Sequence, residues 1–438
     1  MRITHGTLAA YAAPCLPIAA VGLPVVVYLP PYYTTTLGLD IAVVGFIFFI
    51  VRVVDVPLDP IIGHLLDRTR SRFGRFRPWL VGGALVMMCG ILAVFMARPG
   101  IPPPLAFAGL LLMYVGYSAA LVSHTAWGAV LSDDYHERSR IFGWWQATNV
   151  LGLLLILAVP PLAQAIAGKD DPAIGVHAMG WVIIVTLPLA VALNLAAVPE
   201  RARVGGRHHR LADIVDIARL PLMRRLLLVD LLANLAPGVS GALLLFFFEA
   251  ARGYPIAQAS TLLLFYFAAG IAAAPFWVRI ARRVSKHRAI MSALIAYAIL
   301  QTATMLIPAD NFAIAAFGMA VAGIPAVAPA FLLRAMLADL SDAETLRTGH
   351  ERTGLFYAAL AAVQKLGYAI PVGVSYSVLG IIGFVPELGQ ANTPAAITGL
   401  TLLFIGPPAI LALAAAAAVR GWPIDAAAHA RTTAALAG

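Results

Sequence analysis

The stretch "VRVVDVPLDPIIGHLLDRTRSRFGRFRPW", residues 51–79, sets Arg52, Asp55 and Asp59 inside an otherwise apolar run and then releases Arg68, Arg70, Arg72, Arg75 and Arg77. A long apolar run followed by a basic burst reads as a helix leaving a bilayer. Carboxylates inside such a run are costly unless they meet water, a counter-charge or a cation.

The whole chain has the same character. Its 438 residues are 61% hydrophobic and 12% charged, with mean hydropathy +0.87; a soluble protein carries about twice that charged fraction. Apolar runs recur from end to end, whereas the alternating pattern of a β-barrel is absent. The sequence therefore predicts an all-α polytopic membrane protein. Spans are expected at 7–36, 39–65, 79–97, 103–131, 140–167, 177–198, 224–250, 258–281, 287–307, 311–338, 353–383 and 395–420. The first is too long for the apolar core of a signal peptide, and Pro14, Pro17, Pro24, Pro30 and Pro31 predict that it bends.

Lys and Arg fall unevenly between alternate loops. Arg68 to Arg77, Arg138, Arg201 to Arg219, Arg282 to Arg288, and Arg347 with Arg352 follow the even-numbered spans, while Arg98, Lys169 and Arg252 lie on the other side. The positive-inside rule puts both termini in the cytoplasm. The net charge of +9 is thus spread over loops instead of gathered in a nucleic-acid-binding patch. Cys15 and Cys89 both lie in apolar runs, so no disulfide or metal framework is implied.

The connection 199–223, containing "ERARVGGRHHR", divides the spans six and six. This gives an N-terminal bundle over 1–198, a C-terminal bundle over 224–420 and a tail over 421–438. A basic cluster follows span 2 and again span 8, as two related halves would produce, and the pattern is that of a transporter with a central cavity.

The chemistry sits on a few residues. Asp55 and Asp59 lie about 40° apart around a helix, with Arg52 on the same side, so one face carries all three. Pro57 and Pro60 leave the carbonyls of Val53 and Val56 without their usual helical donors. Carboxylates beside freed carbonyls suit a small cation such as Na⁺, and two neighbouring carboxylates can equally share a proton; a static ion-pair network is the plainer reading. Lys365 lies deep in span 11, where snorkelling fails, and its expected partners are Asp55 and Asp59.

Other polar residues are candidates for contact with a solute. His124 and Trp127 lie in span 4, Asp230 and Asn234 in span 7, with Asp230 near enough to its cytoplasmic end for water to reach, and Gln364 lies beside Lys365. Tyr32, Tyr33 and Tyr376 are weaker candidates. Asp67, Arg68 and Arg75 read as a gate at the end of span 2. No nucleophile with its base and no metal set suggests an enzyme.

The run from Arg52 to Trp79, with "DDYHERSR" after span 4 and "DAETLRTGHERTGLFYAALAAVQKLGYAI" into span 11, resembles the glycoside–pentoside–hexuronide:cation symporters, the melibiose-permease group of the major facilitator superfamily. The resemblance implies the major facilitator fold and alternating access, with Asp55 and Asp59 as cation-site carboxylates and Lys365 as the lysine associated with coupling. It also implies a bacterial inner-membrane protein, expected to be a monomer. The chain departs from the sugar-binding members at Leu58 and Leu121, where they carry polar groups. It departs again around Ile18 and Ala19, at His124 in place of an acid, and at Asn149 in place of an arginine. Loss of neutral oxygens weakens a Na⁺ site more than a proton site, which favours H⁺ coupling. The expected solute is a glycoside or sugar acid; the alternatives are an amphipathic cargo such as a lysolipid, or a receptor that does not transport.

Overall fold

The computed structural model describes residues 3–132, 135–169, 171–200, 216–309, 311–349, 353–424 and 431. Most of the expected linker and tail lies outside these residues. Eleven helices among those described are long and apolar enough to cross a bilayer, and one pair bent by 40° supplies a twelfth span. We number them α1 (His5–Thr35), α2 (Ile41–Arg68), α3 (Arg77–Phe95), α4 (Pro103–Val130), α5 (Tyr135–Ala167) and α6 (Pro172–Ala197). The second half comprises α7 (Pro221–Ala251), α8 (Ile256–Ala272 with Ala274–Val284), α9 (Lys286–Ala303), α10 (Phe312–Thr348), α11 (Thr353–Ile381) and α12 (Pro394–Val419). The order matches the sequence expectation. Span 10 runs further than expected, to Thr348.

Local chemistry explains the ends. On the loop side poor in basic residues, Asp40, Asp171, Asn311 and Thr393 cap α2, α6, α10 and α12 through side-chain oxygens on free backbone N–H groups. On the basic side, the carboxylate of Glu200 accepts from the N–H groups of Arg75, Phe76 and Arg77 and so caps α3. In α1 the chain breaks after Ala12, just before Pro14, and a π turn runs from Pro24 to Tyr28.

Two six-helix bundles result. In the first, α3 packs on α4, α4 on α2, and α1 on α5 and α6; in the second, α7 packs on α11 and α12, α8 on α10, and α9 on α12. Across the seam, α2 meets α11 and α5 meets α8. A shift of six spans turns the first of these pairs into the second, as expected for related halves. The turns before α3 and α9 repeat this relation. Gly74 in "RFGRFR" and Ser285 in "RVSKHR" both take positive φ, 100° and 119°.

The apolar core shows which end of the seam is closed. One cluster joins Val25, Tyr32, Tyr33 and Phe48 of the first bundle with Leu243, Phe247, Tyr376 and Phe384 of the second, at the end away from the basic loops. At the basic-loop end the second bundle keeps its own cluster, around Met223, Leu333, Phe356 and Trp422. Apolar burial thus welds the halves at one end and leaves them separate at the other. Small residues let the helices approach there: a Cβ on Gly45 would stand 2.8 Å from that of Tyr376, and one on Gly373 2.7 Å from that of Phe49.

Candidate functional site

Midway along the seam, α2 presents Asp55 and Asp59 to Lys365 of α11. The ammonium lies 2.9 Å from Asp55 Oδ2 and 2.9 Å from Asp59 Oδ1. It also donates to the main-chain oxygen of Asp55 at 3.0 Å and to Ser118 Oγ of α4 at 3.4 Å. Four oxygens therefore surround one cation. Ser118 Oγ in turn donates to Asp55 Oδ1 at 2.9 Å. Arg52 stands 3.6 Å from Asp55 Oδ2, and its guanidinium lies over the Tyr114 ring at 4.2 Å.

Two carboxylates thus face two cations, and the charges balance. The pairing is asymmetric in access: the Asp55 side chain is 0% exposed, Asp59 27% and Lys365 13%. Asp55 Oδ2 and Asp59 Oδ1 accept no aligned hydrogen bond, so the lysine holds them mainly by charge. At the fully buried Asp55 that attraction is strong, and breaking it leaves a buried charge uncompensated.

A second polar cluster lies within the C-terminal bundle. Asp230 of α7 is 1% exposed, although the sequence suggested a solvated position near the helix end. Its Oδ1 accepts from Gln364 Nε2 at 3.4 Å, and Gln364 Oε1 accepts from Arg334 Nη2 of α10 at 3.2 Å. Asn234 turns back to donate to the Asp230 main-chain oxygen at 2.7 Å. Gln364 and Lys365 are consecutive, so α11 touches one cluster with each of two neighbouring side chains.

His124 goes elsewhere. The break at Pro14 frees carbonyls in α1, and helices near such a break must supply donors. His124 Nε2 meets Tyr11 O at 2.6 Å, and Asn194 Nδ2 of α6 meets Ala10 O and Tyr11 O at 3.4 and 3.3 Å. A carbonyl only accepts, so the imidazole carries its proton on Nε2. Its ring stacks on Tyr11 at 4.6 Å, and Nδ1 lies 3.8 Å from Cys15 Sγ. The histidine is buried as an interhelical pin, apart from the Asp55–Lys365 cluster.

Trp127 belongs to the basic-loop end. Its Nε1 donates to Pro199 O at 3.3 Å, its ring stacks with Phe76, and Arg77 lies over it at 5.7 Å. Arg75 Nε donates to Leu66 O at 3.1 Å, and Arg68 Nη1 lies 3.4 Å from His64 Nε2. These contacts tie the α2–α3 turn within one bundle. The Asp67 side chain lies outside the described residues, and Asn149 is half-buried on α5.

Ser118, Tyr114, Glu200 and Arg334 escaped the sequence reading. Ser118 sits one turn before Leu121, so the missing hydroxyl is supplied from the next position on that face. Arg334 carried a plain signal, a charge inside an expected span.

A family model described as MFS/sugar transport protein matches residues 10–426. The uncharacterized symporter YnaJ of Bacillus subtilis (strain 168) is 24% identical over 419 residues, which cover 91% of this chain and 87% of that one. The candidate glycoside/cation symporter YagG of Escherichia coli (strain K12) is 24% identical over 392 residues, 87% of this chain and 83% of that one. A lactose permease of Lactobacillus delbrueckii subsp. bulgaricus is 24% identical over 342 residues, 73% and 53% of the two chains. Among solved structures, the nucleoside transporter NupG superposes with a TM-score of 0.63 at 13% identity, over 95% of this chain and 100% of that one. At that identity the likeness is one of fold.

Proposed function

The chain belongs to the MFS/sugar transport protein family, and from that premise we propose that it is a secondary transporter, not an enzyme, which moves a small polar solute together with a cation by alternating access. The observation that carries this reading is the contact of Lys365 with both Asp55 and Asp59 across the seam. A cation bound by the aspartates competes with the lysine for the same oxygens. Its arrival weakens the link between bundles, so occupancy and conformation are tied.

The proton is the preferred cation. Asp59, the more exposed carboxylate, accepts it from the open side and drops one of the two ion pairs that hold Lys365. Leu58 contributes no side-chain oxygen, and the hydroxyl that Leu121 lacks comes from Ser118, already engaged with Asp55. The four oxygens around the ammonium support a second reading, in which Na⁺ replaces the lysine in its own cage.

The basic loops lie on the cytoplasmic side of the inner membrane under this reading, which makes the welded end periplasmic and the conformation open inward. The chain acts as a monomer. The solute is a glycoside or sugar acid, in line with the names of the symporter relatives, and the polar set on α7, α10 and α11 speaks against an amphipathic cargo.

The test is uptake into vesicles of a panel of glycosides, hexuronates and lysolipids under an imposed proton or sodium gradient. Accumulation of a polar member driven by the proton gradient is expected. Accumulation driven equally well with no cation gradient would overturn the symport reading.

A further inference from the structure

Asp230 combines two properties that rarely coexist: it is 1% exposed, and its Oδ2 accepts no hydrogen bond among the described residues. A buried, unsatisfied carboxylate oxygen is costly, and such an atom usually has a partner in some working state. The partners of its other oxygen are held in line. Gln364 fixes Oδ1 through its amide and fixes Arg334 through its carbonyl, so one side chain holds the acceptor and the donor in a single array.

Arg334 is exposed, and a guanidinium within a span turns to a water-filled cavity in preference to lipid. Tyr357 and Tyr368 of α11, 39% and 43% exposed, flank it; the Tyr357 hydroxyl donates to Arg334 O at 3.4 Å. Tyr368 is within electrostatic reach of Asp230, Arg334 and Arg52. Tyr117 of α4 is in turn within reach of Arg52, Asp55, Asp59 and Tyr368. The two clusters are therefore linked through Tyr117 and Tyr368, which stand between them.

We propose that Asp230, Gln364 and Arg334 form the subsite that binds the transported solute, and that its ligand is an uncharged molecule bearing adjacent hydroxyl groups. Each hydroxyl both donates and accepts. One donates to Asp230 Oδ2 while a neighbour accepts from the free N–H groups of Arg334, and the phenols of Tyr357 and Tyr368 serve either role. A carboxylate ligand would meet the Asp230 oxygen with like charge. This site replaces the polar groups that α1, α4 and α5 lack, where His124 is spent on holding α1. It also puts the solute one residue from Lys365, so that ordering of Gln364 by a bound hydroxyl bears on the position of the coupling lysine.

The inference rests on the symporter reading, and its test separates the two. Full-length protein is purified and titrated with lactose, raffinose and glucuronate, with binding read from thermal stabilisation and confirmed by calorimetry. Wild type is expected to bind a neutral glycoside, and Asp230→Asn and Arg334→Gln each to weaken it by about ten- to hundredfold. Arg334→Lys, which keeps the charge but loses the fork, should fall between and guards against a folding defect. Asp55→Asn should retain binding while losing gradient-driven uptake. Wild-type affinity in both Asp230→Asn and Arg334→Gln, stronger binding of glucuronate than of the glycosides, or no binding of any of the three would overturn the subsite. If the first of these came with uptake still dependent on Asp55, the symporter reading would stand without the subsite.

Discussion

Asp55 and Asp230 are both buried aspartates on helices that pack against α11, yet they are held from different places. Asp55 receives Lys365 from the opposite bundle, whereas Asp230 is held by Gln364 and, one bond further, Arg334, all from its own bundle. A motion that separates the bundles must therefore break the contact of Asp55 with Lys365 and can leave those of Asp230 intact. One is placed to sense conformation and the other to travel as a preformed binding surface.

The sharpest way to break this contrast is to remove the lysine. Lys365→Met leaves Asp55 buried with Arg52 alone, and should lower stability by about 3–5 kcal/mol and abolish gradient-driven uptake; melting and vesicle uptake measure the two. Adding Asp55→Asn should restore much of the stability and none of the coupling. Retained coupling in Lys365→Met would remove the seam from the mechanism.

Two glycines of α11 sharpen it next. A Cβ on Gly373 would stand 2.7 Å from Phe49 across the seam, and one on Gly367 2.7 Å from Asn234 within the bundle. Gly373→Ala and Gly367→Ala should each cost about 1–3 kcal/mol through overpacking. Only the first should open the welded end, read as faster thiol labelling of a cysteine introduced at Val26. Equal labelling in both would show that seam and bundle are not mechanically distinct.

The smallest effect belongs to His124. His124→Gln can still donate to the freed carbonyl of Tyr11, so stability should fall by about 1 kcal/mol with the response of uptake to the proton gradient unchanged. A changed pH profile of transport would return His124 to the functional set.

Much of this arrangement was legible in the sequence, because intramembrane charge is costly and so stands out. The period of the apolar runs located the spans, and the shared face of Asp55 and Asp59, with Lys365 as the one deep lysine, pointed to the seam. Partner choice was not legible. His124 reads as a solute contact because it is polar and central, but the proline break that claims it lies in another helix. Ser118 is hidden because the resemblance aligns the hydroxyl position with Leu121, one turn away. Arg334 was visible as a charge in span 10, but only the fold brings it to Gln364 and so to Asp230.

The central claim is that the aspartate pair couples solute to cation, and it is tested most directly by comparing solute exchange with accumulation in Asp59→Asn. Exchange of labelled for unlabelled solute needs the binding surface and the conformational change, whereas accumulation also needs the cation. The expected result is exchange near the wild-type rate with accumulation lost. Accumulation against a gradient in Asp59→Asn would contradict the account.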